Sequence, residues 1–239
     1  MSGPGARQSE SRSADAEPRR ARSPALARIA PFAAFVALLA AQPWIAAHGI
    51  DARWVNVSRG VAAASLLAFF WREYRELHVA RLLPAREWLI AIATGVAVFA
   101  AWTTFDHGWA VVGSTGAGFV PLGADGRIDW TLAMLRFAAL AAVVPVMEEL
   151  FWRSFLLRWI DARDFLAFDP RRASLRAFAL SSALFASEHS LWFAGLLAGA
   201  AYNWVYMRNG NLWAPIIAHG ATNGTLGIWI IATHHWRFW

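Results

Sequence analysis

Apolar residues in this chain come in long runs broken by short polar stretches, and the runs have the length of membrane-crossing helices. An α-helix rises about 1.5 Å per residue, so a hydrocarbon core of about 30 Å takes about 20 residues. Such runs fall at roughly 30–47, 55–71, 87–104, 130–150, 175–191, 193–207 and 212–232. They predict an all-α fold, a polytopic transmembrane helix bundle with about seven spans. The last three runs are crowded, so one of them is expected to be short or re-entrant; non-helical backbone at membrane depth is tolerated only where protein buries it. Phe105 to Asp129, with its glycines and Asp125-Gly126, reads as a longer loop lying on the membrane. Residues 1–28 are rich in Ser, Ala, Pro and Arg without apolar periodicity and read as a disordered cytoplasmic tail. Residues 29–239 then form one transmembrane domain, with no internal repeat and no separate soluble domain.

Composition agrees with that class. Of 239 residues, 58% are hydrophobic and 16% charged, and 15 tryptophans are available for the membrane interfaces. The formal charge of +6 comes from arginine alone, for the chain has no lysine. Those arginines sit at the ends of apolar runs and not in one stripe, which argues against nucleic acid as a partner and for the lipid bilayer. With the N-terminus inside, the inner segments hold the tail arginines, Arg72, Arg75, Arg81, Arg86, the six from Arg153 to Arg176, and Arg208. Arg53, Arg59, Arg127, Arg136 and Arg237 fall outside or in outer helix ends. The positive-inside rule therefore puts the N-terminus in the cytoplasm. A signal peptide competes for the first run, but Gln42-Pro43-Trp44 offers no small-residue cleavage site, so an uncleaved first span is expected. The absence of cysteine excludes disulfides, thiolate nucleophiles and Cys-ligated zinc.

Three polar constellations interrupt the apolar runs: Glu148-Glu149 with Arg153, Phe185 with His189, and His219 with Asn223. An ionisable group in hydrocarbon costs roughly 2.5–3.5 kcal/mol on insertion scales, so each is a functional-site candidate. On a helix Glu149 and Arg153 share a face, whereas Glu148 points about 100° away from its neighbour. Arg153 is thus expected to neutralise Glu149 and leave Glu148 free as a general base. A charge cluster at the membrane edge, with Arg153 snorkelling to the headgroups, is the competing reading. His189 alone reads as a packing residue, and Glu188 beside it as an orienting or structural group. His219 and Asn223, four apart, can both donate to one developing oxyanion. Pro145 and Pro215 each remove an intrahelical hydrogen bond and can kink their helices, though helix packing alone would also account for them. Gly195 and Gly199 read as packing positions that let helices approach closely.

Taken in order on successive runs, Glu148-Glu149-x-x-x-Arg153, Phe185-x-x-x-His189 and His219-x-x-x-Asn223 resemble the CPBP intramembrane proteases, the group of type II CAAX prenyl endopeptidases and bacterial Abi proteins. The resemblance covers roughly 85–235, which would be the protease core. Val144-Pro145-Val146-Met147 ahead of the glutamates, Phe151-Trp152-Arg153-Ser154-Phe155 after them, and the ending Trp236-Arg237-Phe238-Trp239 look most like the CAAX protease-related proteins found beside exosortase systems. The resemblance implies an intramembrane endopeptidase that hydrolyses a peptide bond of a membrane-associated protein with a glutamate-activated water. Glu148 would be the base, His189 would help hold the water, and His219 and Asn223 would stabilise the oxyanion. Glu149, Arg153 and Phe185 would support them. It further implies a bacterial inner (plasma) membrane location and an exosortase-type sorting system as partner.

No cofactor is the preferred expectation. The alternative is zinc, with Glu148, His189 and His219 as ligands in a His₂Glu set; against it, no His-Glu-x-x-His occurs. Two other functions stand beside proteolysis. One is a catalytically silent membrane scaffold or assembly factor, compatible with an intact but unused site. The other is a proton-coupled transporter, in which buried Glu and His form a relay. A transporter should show paired broken helices in two similar halves, and the chain has no such halves.

Overall fold

Seven helical segments of 13 residues or more form where the hydrophobic pattern places them, in a computed structural model that describes residues 23–78, 83–113 and 118–239. Most of the predicted tail, Arg81 and Ser114-Thr115-Gly116 lie outside the described residues. The segments are α1 (Pro24–Ala47), α2 (Ala52–Phe69), α3 (Ala85–Thr104), α4 (Trp130–Asp161), α5 (Leu175–Ser187), α6 (Trp192–Asn209) and α7 (Trp213–Thr233). Among the described residues there is no strand, only an isolated bridge between Leu122 and Ile128 across the Asp125-Gly126 turn. The fold is all-α.

The helices α1, α3 and α4 are each long and apolar enough to cross a membrane, which makes this an integral membrane protein. Of the crowded C-terminal three, α5 is the short one. Its 13 residues reach about 20 Å, less than the hydrocarbon thickness. Three pairings organise the bundle: α1 with α2, α5 with α6, and α3 with α7, all gathered around α4. The last pairing is tight. A methyl at Gly95 of α3 would fall 2.3 Å from Ala218 O of α7.

Two boundaries differ from the pattern. Helix α1 begins at Pro24 and so takes in the last residues of the expected tail: Ser23 Oγ accepts from Leu26 N–H, and proline at the first helical position loses nothing there. Arg28, expected in the tail, is fully buried. It pairs with Glu76 Oε2 at 2.6 Å, donates to Ser154 Oγ at 3.2 Å, and reaches Glu73 O and Pro24 O. Tyr74 Oη donates to Ala27 O at 2.8 Å, so the start of α1 is clasped to the α2–α3 connection and to α4.

Helix α4 overruns its predicted end by eleven residues, to Asp161. The charges at Glu148, Glu149 and Arg153 suggested a membrane exit, but they are buried and nothing in Leu150–Leu157 breaks a helix. Two stretches of α4, Ala139–Val143 and Leu150–Leu157, are π-helical, with wide turns on either side of the glutamates. Such turns concentrate at functional sites.

Pro145 sits just after the first of these turns. There Val144 N–H bonds Ala139 O, five residues back. Proline has no N–H, so the corresponding acceptor, Leu140 O, lacks its intrahelical donor. Asn223 supplies the bond instead, Nδ2 to Leu140 O at 2.9 Å. Pro215 removes no intrahelical bond from α7, because it is the third residue of that helix, where backbone N–H groups have no intrahelical acceptor to lose.

Candidate active site

Glu148 and Glu149 lie beyond the middle of α4 and turn to different surroundings, as their helical offset requires. Glu149 is fully buried and accepts from Arg153 Nη1 at 3.1 Å. Arg153 is itself 1% exposed and is held by more than this pair. Its Nη2 donates to Gly199 O at 3.2 Å, and its guanidinium lies 4.6 Å from the Phe185 ring and 5.2 Å from that of Tyr202. Burial of the whole cluster rules out the snorkelling arrangement. Phe185 is thus a platform for the cation. Gly199 is a packing position, as expected, since a methyl there would lie 3.0 Å from Ser182 backbone atoms; it also offers the carbonyl that receives Arg153.

Glu149 has a second partner. His219 Nδ1 lies 2.8 Å from Glu149 Oε1. A carboxylate accepts, so Nδ1 carries the hydrogen and Nε2 is left for the cavity. The ring stacks on Tyr202, centroids 5.0 Å apart at 19°. Tyr202 Oη in turn donates to Thr222 Oγ1 at 2.7 Å, and Thr222 Oγ1 donates to Gly95 O at 2.9 Å. His219 is therefore fixed in plane by a ring and in tautomer by a carboxylate. Neither Tyr202 nor Thr222 belongs to a motif; the available signal was a polar tip inside an apolar run.

His189 is not on a helix. Helix α5 ends at Ser187, and Glu188 and His189 form the turn into α6. The expected helix to residue 191 stops early, with Glu188 and His189 N–H groups bonded to Phe185 O and Ala186 O three residues back. His189 still lies over Phe185, Nδ1 to Phe185 O at 3.0 Å, and meets Trp102 edge-on at 5.1 Å. The acceptor is a carbonyl, so again Nδ1 holds the hydrogen and Nε2 the lone pair. Gly195 of α6 makes room for this: a methyl there would lie 3.4 Å from the His189 ring.

These groups meet in one cavity of about 270 Å³, to which all seven helices contribute. Glu148, Glu188, His189, His219, Thr222 and Asn223 line it; Glu149 and Arg153 do not. Glu148 Oε2 is buried without a hydrogen-bond partner, whereas Asn223 spends one of its two N–H groups on Leu140 O and keeps the other. With Nδ1–H directed at Glu149, a neutral His219 presents a lone pair to the cavity, and it donates there only as imidazolium.

Among the described residues no three His, Asp or Glu side chains group closely enough to hold a metal ion. Glu148, His189 and His219 share the cavity without forming such a set.

Residues 130–225 match the family described as type II CAAX prenyl endopeptidase Rce1-like. The match spans α4 to α7, less than half of the chain, and contains all three polar constellations. It supports the CPBP group and a peptide-hydrolase kind of activity. No curated protein and no solved structure matches the chain.

Proposed function

We propose that this protein is a CPBP-type intramembrane endopeptidase that hydrolyses a peptide bond of a membrane-associated protein with a water activated by Glu148. The observation that carries the reading is the division between adjacent glutamates: Glu149 is consumed by Arg153 and His219, while Glu148 faces the cavity with a free oxygen.

In this mechanism a water sits between Glu148 and His189, donating one hydrogen to the carboxylate and one to the Nε2 lone pair. Glu148 takes the proton as the water oxygen attacks the scissile carbonyl, and later returns it to the leaving amine. The oxyanion receives the remaining N–H of Asn223. It also receives Nε2–H of a protonated His219, whose charge Glu149 stabilises from the far side of the ring. Glu149 acts through His219 and is a positioning residue.

Val144-Pro145 ahead of the glutamates and the aromatic stretch Trp236-Arg237-Phe238-Trp239 favour the exosortase-associated branch, with an exosortase-type sorting system as partner. The arginine distribution favours a cytoplasmic N-terminus and a bacterial inner membrane. The protease core in this reading is about 85–235, because α3 closes the cavity with Trp102 and packs on α7. The test is cleavage of candidate membrane peptides by the purified protein, wild type against Glu148→Gln. Cleavage that needs Glu148 supports the proposal; a folded wild type that cuts no membrane peptide favours a silent scaffold.

A further inference from the structure

The cavity holds two arginines that the mechanism does not use. Arg59 of α2 and Arg136 of α4 both line it, 4% and 8% exposed. Neither forms an ion pair among the described residues. Both Nε atoms are buried without a hydrogen-bond partner. Arg136 Nη1 donates to Asn56 Oδ1 at 2.9 Å, and Asn56 Nδ2 is tied back to Ala52 O, so the amide oxygen is aimed at Arg136. The helices carrying the pair touch at Gly60, next to Arg59, and Ala139, three residues after Arg136, where a methyl on the glycine would fall 2.7 Å from Ala139 Cβ. That contact brings the two helix backbones close together beside the pair.

A guanidinium keeps its charge when buried, and two of them in one low-dielectric cavity repel. Arg59 lies 4.5 Å from the Phe35 ring and Arg136 5.3 Å from that of Phe119. Ring contacts of this kind recover only part of what taking a cation out of water costs. An anion would supply the rest. We propose that Arg59 and Arg136 form a subsite for a carboxylate carried by the substrate, which makes them specificity-determining residues of the peptidase proposed above and rests on that reading. Arg136 and Glu148 are twelve positions apart on α4, at most about 18 Å along its axis. An extended peptide covers that in about five residues. The carboxylate is therefore expected within about five residues of the scissile bond. Its planar pair of oxygens matches the guanidinium fork, and a side chain or a chain terminus can supply it.

Binding to full-length Glu148→Gln protein in neutral detergent tests this without turnover. The probes are fluorescent Leu/Ala octapeptides: one with a free C-terminal carboxylate, one C-terminally amidated, and one amidated with a single glutamate. The acid or the glutamate peptide should bind about 10- to 100-fold more tightly than the neutral amide, the size of a charge-assisted bond. Which of the two wins identifies the source of the carboxylate. Adding Arg59→Gln or Arg136→Gln should erase the preference while leaving the apo melting temperature equal or higher, because an uncompensated buried charge is gone. Equal binding of all three peptides would overturn the subsite. So would a lowered melting temperature in both arginine variants, which would make the cations part of the fold. Displacement of the peptides by phosphatidylglycerol that needs both arginines would replace it with a lipid-headgroup site. Wild-type cleavage of the same peptides separates the two claims: cleavage without preference sinks only the subsite, and preference without cleavage sinks only the peptidase.

Discussion

His219 Nδ1 stands 2.8 Å from Glu149 Oε1, so the glutamate that Arg153 neutralises is also the one that orients the histidine. One buried carboxylate therefore ties motif residues of α4 to those of α7, and the neighbouring Glu148 is left to the cavity. The stability of the site and its chemistry are consequently separable by mutation.

Glu148→Gln keeps the shape and removes the base. Turnover should vanish while the melting temperature in detergent stays within a few degrees of wild type. Arg153→Ala should do the opposite to the protein. Breaking a buried pair by removing one partner costs about 3–5 kcal/mol, so expression and melting temperature should fall sharply. Equal loss of folded protein in both variants would refute the division of labour.

Asn223 has a structural task as well as a proposed chemical one. Asn223→Ala leaves Leu140 O without a donor and should cost about 1–3 kcal/mol of stability. It should also cost about 10²–10³ in turnover, the usual effect of losing an oxyanion donor. A double-mutant cycle with Pro145→Ala separates the two. An alanine N–H can serve the freed carbonyls, so the stability cost of Asn223→Ala should shrink in that background while the loss of turnover stays. An unchanged melting cost would contradict the proline account.

Gly195→Ala should lower turnover more than stability, because the added methyl would press on the His189 ring at 3.4 Å and on Ala186 Cα at 3.1 Å. Gly199→Ala, whose methyl meets Ser182 backbone at 3.0 Å beside the carbonyl that holds Arg153, should lower the melting temperature as well. Turnover and melting curves of the two variants check the ranking.

The hydrophobic runs located all seven helices, since each run is apolar and bounded by polar residues, and each of the three constellations contributes residues to one cavity. What they could not convey depends on contacts between helices. Glu148 to Arg153 looks like a membrane exit in sequence, yet α4 continues to Asp161 because partners on α6 and α7 make those charges tolerable inside. Phe185 and His189 keep helical spacing although His189 lies in a turn; the same four-residue interval is restored by its bond to Phe185 O. Asn223 looked like a free carboxamide because its obligation to Leu140 arises from a proline on another helix. In sequence Arg59 and Arg136 look like topology charges, and only their shared cavity marks them as anything else.

Metal dependence has its own test. If Glu148 activates water unaided, chelation should leave activity nearly unchanged and Asn223→Ala should be severe. If His189 and His219 hold zinc, chelation should abolish activity, added zinc should restore it, and Asn223→Ala should be mild because the ion would polarise the carbonyl.

The most direct measurement of the central claim is cleavage in ¹⁸O-labelled water. Purified wild-type protein is incubated with candidate membrane peptides, and the products are weighed by mass spectrometry. Glutamate-activated hydrolysis predicts one ¹⁸O in the new C-terminal carboxylate of each wild-type product and no product from folded Glu148→Gln. Labelled product from Glu148→Gln at the wild-type rate would contradict it.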